Sequence, residues 1–293
     1  MILKESRDLE WIQELRSRYQ FTNPTLIEKT IRAFSLLEAL SVSGCPFVFK
    51  GGTALMLHLN SAKRISIDVD IICKPGTDVI AYLSKTAGDY GFGNIVSGER
   101  VSRTNVPKTH AKCYYTVSYK TNPLLLEGAQ EEKILLDVLF DVASIFDQTT
   151  DFEVARETFA RIVPVELAYR SKQDLGVKDV LDDILNVSRI ICTWGYDDAF
   201  QHGELADGVV RVRDFIHSER YNYDSAVVNA SKAAYLAALT LAGKNEVQHF
   251  DPQINLAGVT LSPAIDAKLR NLKKYRPEAF FYWSQVDMLL SDI

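Results

Sequence analysis

Residues 47–55 (FVFKGGTAL) read as a strand running into a Gly-Gly turn and a short helix, and residues 64–70 (RISIDVD) read as a strand with two aspartates two positions apart. No other stretch constrains the chain as closely. Strand side chains alternate between faces, so Asp68 and Asp70 point the same way with Ser66 beside them. Ile65, Ile67, Val69 and Ile71 then form an apolar row for a core. Two neighbouring carboxylates repel each other unless a cation lies between them. Oxygen donors of this kind suit Mg²⁺, which keeps waters and takes substrate phosphates as its other ligands. A Gly-Gly turn at a helix start brings bare backbone N–H groups against a phosphate. The unit points to metal-assisted chemistry on a nucleotide.

The rest of the chain is that of a well-cored globular protein, with 293 residues, 47% of them hydrophobic and 24% charged. No apolar run approaches the roughly 20 residues of a membrane span. The first ten residues are charged and lack the apolar centre of a secretory signal, so a cytoplasmic location is expected. Cys45, Cys73, Cys113 and Cys192 are widely spaced, with no CxxC pair, and read as reduced thiols. The net charge of −5 argues against a bulk electrostatic grip on nucleic acid. A local basic run remains at Lys268–Arg276, five cations in nine residues. Its plainer reading, and the weightier one, is a solvated helix face anchored by Leu269 and Leu272; a polyanion contact is the lesser.

Pro24 to Leu40 is an amphipathic helix capped by Asn23, with Leu26, Ile27, Ile31, Phe34, Leu37 and Leu40 as its buried stripe. Asp78 to Gly88 reads as a helix ending at its glycine, and His110 to Lys120 and Lys133 to Phe140 as strands. From about Val165 the texture turns helical, in runs such as Val180–Ile191, Asp207–His217 and Ser225–Ala242. The expected architecture is α+β, with a boundary near Pro164 between domains at 1–164 and 165–293.

Asp137 sits in an otherwise apolar strand, where a carboxylate needs a partner. It is the candidate third metal ligand, ahead of Asp141, and would complete with Asp68 and Asp70 the carboxylate cradle of two-metal phosphoryl chemistry. Gly51 and Gly52 would carry phosphates on backbone N–H groups, with Thr53 adding a hydroxyl. Lys172 is a candidate triphosphate contact and Arg64 a phosphate or aspartate partner, each balanced evenly against a plain surface cation. Asp179 and Asp182 are helix neighbours, either supporting a site or simply acids in a first helical turn. The five histidines show no metal-ligand spacing. Trp194, Trp283 and the tyrosines near Tyr114 read as core more than as stacking platforms.

K-G-G-T-A-L followed by R-x-S-x-D-x-D resembles the AbiEii/AbiGii-type abortive-infection toxins, nucleotidyltransferases of the DNA polymerase β-like superfamily. The helix before the motif, the Asp137 strand, the run Val165–Lys172 and Lys178-Asp179-x-x-Asp182 are similar to that family too, so the resemblance spans roughly Pro24 to Ile191. It implies a polymerase β-like domain with a mixed sheet, followed by a mostly helical C-terminal domain. It implies Mg²⁺- or Mn²⁺-dependent transfer of a nucleoside monophosphate from an NTP. Gly51, Gly52, Thr53, Arg64, Ser66 and Lys172 would then serve nucleotide binding. Asp68, Asp70 and Asp137 would hold metal, with Asp179 or Asp182 supporting. Members act as toxins beside a cognate antitoxin, and some modify the tRNA 3′ end. A small-molecule or protein acceptor, or a non-catalytic nucleotide-binding role, is the alternative.

Overall fold

Asn23 starts helix α2 (Pro24–Val42) as expected: its side-chain oxygen accepts the Thr25 N–H at 3.0 Å, and Pro24 fills the first position, where no donor is needed. The structure, a computed structural model, describes residues 2–19, 23–59, 63–74, 76–98, 110–115, 141–149, 151–196, 198–262 and 268–291. The described residues are mostly helical, with a small amount of antiparallel sheet. The chain divides into two compact units, Met1–Ala129 with Asp214–Arg220, and Gln130–Arg213 with Tyr221–Ile293.

In the first unit, α1 (Leu9–Tyr19) sets Ile12 against Ile27 and Ile31 of α2. The far end of α2 puts Ala39 and Leu40 with Cys45 and Leu83, and Phe47, Ile71 and Cys73 pack onto that cluster. Strands β1 (Val48–Lys50) and β2 (Asp70–Ile72) pair antiparallel, with α3 (Gly51–His58) between them in sequence. Helix α4 (Val79–Leu83) is capped by Asp78, whose carboxylate accepts the Ala81 N–H. It stops short of the expected Gly88. The Thr86 hydroxyl donates to the Ala39 carbonyl at 2.8 Å and draws the chain off the helical path, and Gly91 (φ 82°) closes the following 3₁₀ turn instead. Strands β3 (Phe92–Gly98) and β4 (His110–Tyr115) form a second antiparallel ladder. Where a mixed sheet was expected, both described ladders are antiparallel. In the first ladder Asp70 pairs with Lys50, so the chain enters β2 at the end where it left β1. Residues 116–120 and the expected strand Lys133–Phe140, Asp137 included, lie outside the described residues.

The described part of the second unit is built from α5 (residues 141–146), α6 (Glu153–Tyr169), α7 (Val177–Cys192), α8 (Ala199–Val212), α9 (Tyr223–Leu241), α10 (Leu272–Tyr275) and α11 (Pro277–Ser291). Pro164, placed at the expected boundary, lies inside α6. The helix expected over Asp207–His217 ends as α8 at Val212, and residues 214–220 return to the first unit. Helix α9 packs against α7 and α11, and its alanines at 226, 230, 233, 234, 237 and 238 allow the close approach. Trp283 is core as expected, but Trp194 is 58% exposed. It sits in the turn that ends α7 and not on a helix face. All four cysteines are free thiols, with Cys45 and Cys192 buried. Among the described residues no helix is long and apolar enough to cross a membrane.

One cation lies inside this helical core. Lys232 of α9 is 7% exposed, and its ammonium donates to Asp147 at 2.7 Å and meets Glu278 at 3.1 Å. Burial alone lowers its pKa, but the Asp147 hydrogen bond and the charges of Glu278 and Asp147 outweigh it and the net shift is upward. A raised folded-state pKa makes the contribution full below the ordinary value of 10.5 and lost as pH rises through the folded value. Replacing Lys232 by methionine removes the shared ion-pair partner of two part-exposed carboxylates, which should cost about 2 kcal/mol in urea unfolding at pH 7. The gap from the unmodified protein should narrow as pH rises above 10.5.

Candidate active site

The aspartate pair stands where β1 and β2 meet. Exposure alternates along the chain, with Asp68 and Asp70 exposed and Val69 and Ile71 half-buried, so the two carboxylates do share a face. The ladder, however, begins only at Asp70; residues 65–69 are an extended lead-in with no strand assignment. Four contacts hold that lead-in. Arg64 forms an antiparallel bridge to Ile216, and the Ile65 N–H donates to the Phe215 carbonyl at 2.8 Å. The Ser66 N–H meets the Met56 sulfur at 3.2 Å, and the buried Thr53 hydroxyl donates to the Asp68 carbonyl at 2.5 Å. Thr53 and Met56 both lie on α3, so the Gly-Gly helix and the aspartate segment are fixed to each other by side chains of the motif itself.

The glycines are required by close approach. Gly51 has φ 81°, in the left-handed region, and a Cβ there would lie 2.5 Å from the Asp70 Oδ2. At Gly52 a Cβ would run into the Arg64 guanidinium and come within 3.1 Å of the Ser66 Oγ. Arg64 is 9% exposed and donates from one terminal nitrogen to the Ile65 carbonyl at 3.1 Å, so this cation is part of the wall behind Gly52. Lys50, at the N-cap of α3, provides no side-chain cap, which leaves the first N–H groups of the helix without that partner. Helix-start amides with no side-chain cap from Lys50, a buried guanidinium and two exposed carboxylates therefore converge: one end of the cluster suits anionic oxygen and the other a hard cation.

The structure thus brings together Gly51, Gly52, Thr53, Arg64, Ser66, Asp68 and Asp70. The remaining described candidates belong to the second unit. Lys172 is exposed just past α6, where its N–H donates to the Leu167 carbonyl at 2.9 Å in the turn made by Ser171 (φ 55°). Asp179 accepts the Gly176 N–H at 2.7 Å and so caps α7, and Asp182 pairs with Lys178 at 2.6 Å. Among the described residues no group of three or more His, Cys, Asp or Glu is placed to hold a metal ion. Asp68 and Asp70 are donors of the type Mg²⁺ takes, hard, exposed and beside amides able to hold a phosphate, and they fit it as two of its ligands. Sequence reasoning missed the segment 214–220 that pins Arg64 and Ile65. Its only signal was the apolar pair Phe215–Ile216, inside a run that reads as helix.

Alanine at Gly51 should destabilise the protein by about 1–2 kcal/mol through φ strain alone, and should also displace Asp70. Alanine at Gly52 meets mainly the tip of a long side chain and should cost less. Thr53→Val removes one donor to the Asp68 carbonyl at constant shape and should cost about 1 kcal/mol. Denaturant unfolding of the three variants checks the order.

No curated protein and no solved structure matches the chain. A family model does, over a span that opens in α2, takes in β1, α3, β2 and the aspartate pair, and ends in α6. Residues 35–163 match the family described as Nucleotidyl transferase AbiEii toxin, Type IV TA system.

Proposed function

We propose that the protein transfers a nucleoside monophosphate from an NTP to a hydroxyl of an RNA acceptor, the tRNA 3′ end, as the toxin of a toxin–antitoxin pair. The observation that carries this is the seating of the Gly51 backbone directly against Asp70. That contact puts the Gly-Gly turn beside a carboxylate pair, which supports the donor half of nucleotidyl transfer. The family match over the same residues supports it.

In this reading the Gly51 and Gly52 amides hold the terminal phosphates, and Arg64 and Ser66 stand behind them. Asp68 and Asp70 hold Mg²⁺ or Mn²⁺, and Asp137 is proposed as the third carboxylate, in a polymerase β-like fold. When bound, the metal lowers the pKa of the attacking hydroxyl and offsets charge on the leaving pyrophosphate. Thr53 acts through the Asp68 backbone, fixing the main chain that carries that carboxylate. Lys172 is proposed as a nucleotide contact, with Asp179 and Asp182 in support. A cognate antitoxin and a cytoplasmic setting complete the proposal. A second reading replaces RNA by a small-molecule or protein hydroxyl, and the net charge of −5 favours it.

Incubation with each α-labelled NTP, Mg²⁺, total RNA and cell protein tests both. One NTP should label RNA, and EDTA should stop the reaction. Asp68→Asn and Asp70→Asn should each lower the rate at least about a hundredfold, since each weakens a metal contact worth several kcal/mol in the transition state. Label in protein or a small molecule moves the acceptor to the second reading. Label nowhere with any NTP ends the proposal.

A further inference from the structure

Helix α7 ends on a tryptophan at a position where glycine is the usual residue. The Gly195 N–H donates to the Ile190 carbonyl at 2.9 Å and the Trp194 N–H to the Ile191 carbonyl at 3.3 Å. These are the paired bonds of a Schellman turn, with Trp194 at its left-handed position (φ 58°). The same turn at the end of α9 has Gly243 there. A bulky residue at positive φ is strained, and such strain gathers at functional sites. The Trp194 ring is 58% exposed and lies against the Tyr223 ring, 4.3 Å between centroids. Tyr223 is itself held by a 3.0 Å hydrogen bond from its hydroxyl to the Ile191 carbonyl.

Trp194 borders a cavity of about 370 Å³ within the second unit, whose wall includes Thr193, Asp224, Lys268, Tyr275 and Arg276. That volume suits a mononucleotide-sized ligand. Tyr275 offers a second exposed ring, and the Lys268 ammonium lies 4.0 Å over the ring of Tyr196. The charged side chains of the wall are two cations and one acid, with Arg276 ion-paired to Asp224. Two polar atoms of the wall residues are buried without a hydrogen-bond partner among the described residues, the Thr193 hydroxyl and the Arg276 Nε. Thr193 is only 8% exposed. Buried polar atoms in folded proteins nearly always have partners, and here the described residues supply none.

Aromatic faces interleaved with cations are the chemistry that holds a nucleobase and its phosphate. We infer that this cavity is a nucleotide-binding pocket, built from none of the residues of the Asp68–Asp70 cluster, in which Trp194 stacks one base and Lys268 and Arg276 take its phosphate. The ligand is either a free nucleotide or the end nucleotide of an RNA strand; both present the same base and phosphate. The inference shares no residue with the transferase reading and stands or falls without it.

The test is a tryptophan-fluorescence titration of the full chain in EDTA, which removes metal-dependent binding elsewhere. Separate arms use AMP, a short oligoribonucleotide and inorganic polyphosphate. Saturable quenching by AMP alone assigns a free nucleotide, and by the oligoribonucleotide alone an RNA end; quenching by both assigns the nucleotide unit from either source. By anisotropy with a labelled ligand, Trp194→Ala should weaken binding at least about fivefold, the scale of a lost base stack. Lys268→Gln should weaken it severalfold and lower the salt slope by about one. Melting curves of both variants show that they fold. The pocket is overturned by no binding in either nucleotide arm, by equal binding of polyphosphate, or by Trp194→Ala binding like the unmodified protein.

Discussion

The approach of the Gly51 backbone to Asp70 is the constraint on which the first unit is organised. It is possible because β1 and β2 run antiparallel in a register that sets Lys50 opposite Asp70, so the residue after Lys50 passes over the aspartate. Any side chain at position 51 would separate the two. The apolar parity along these strands and their flanks, Phe47 and Ile71 with Cys73, is held by the Ala39–Leu40–Cys45–Leu83 cluster. The polar parity is thereby turned outward. Position of the carboxylates and burial of the strands are two consequences of one register.

A short ladder of three residue pairs is a weak support for such a site, and the unit compensates with non-ladder bonds. The Thr53 hydroxyl, the Met56 sulfur, and the backbone at residues 215 and 216 each hold one point of the lead-in. Two come from the motif's own helix and two from a segment about 150 residues later in the chain. The first pair is local and explains why K-G-G-T-A-L and R-x-S-x-D-x-D occur together. The second pair ties the site to a return of the chain that no local pattern specifies.

That division also explains what could be read from the sequence. The cap of α2 and four of its six stripe residues (Leu26, Ile27, Ile31 and Leu40 are buried, Phe34 and Leu37 half-buried), the shared face of Asp68 and Asp70, and the need for two glycines follow from periodicity, cap chemistry and steric reach, all local properties. The return at 214–220 could not be seen, because Phe215 and Ile216 satisfy a helical pattern as well as a bridging one and only tertiary pairing decides between them. The end of α4 was missed for the same reason, since the deciding partner of Thr86 is a carbonyl 47 residues away. Pro164 suggested a boundary but is carried within α6, where tertiary packing outweighs the missing donor. Trp194 was misplaced because a left-handed helix end is ordinarily announced by glycine; the glycine is present, one residue late, at Gly195.

The contrast among helix ends bears on the acceptor question. Three helices close with the same pair of bonds, and the left-handed residue is Gly243 after α9, Ser171 after α6 and Trp194 after α7. Glycine costs the folded turn nothing in strain, whereas serine and tryptophan both carry a Cβ there, and Trp194 remains 58% exposed. A chain of net charge −5 has no long-range field to gather a polyanion, but screening confines electrostatics to about 8 Å at physiological salt. Within that distance the groups that matter are those of the wall beside Trp194, Lys268 and Arg276 among them. An acidic protein can therefore engage a nucleotide through one stacked ring and one or two cations, and its overall charge then limits how far the contact extends along a strand, favouring an end over a long duplex.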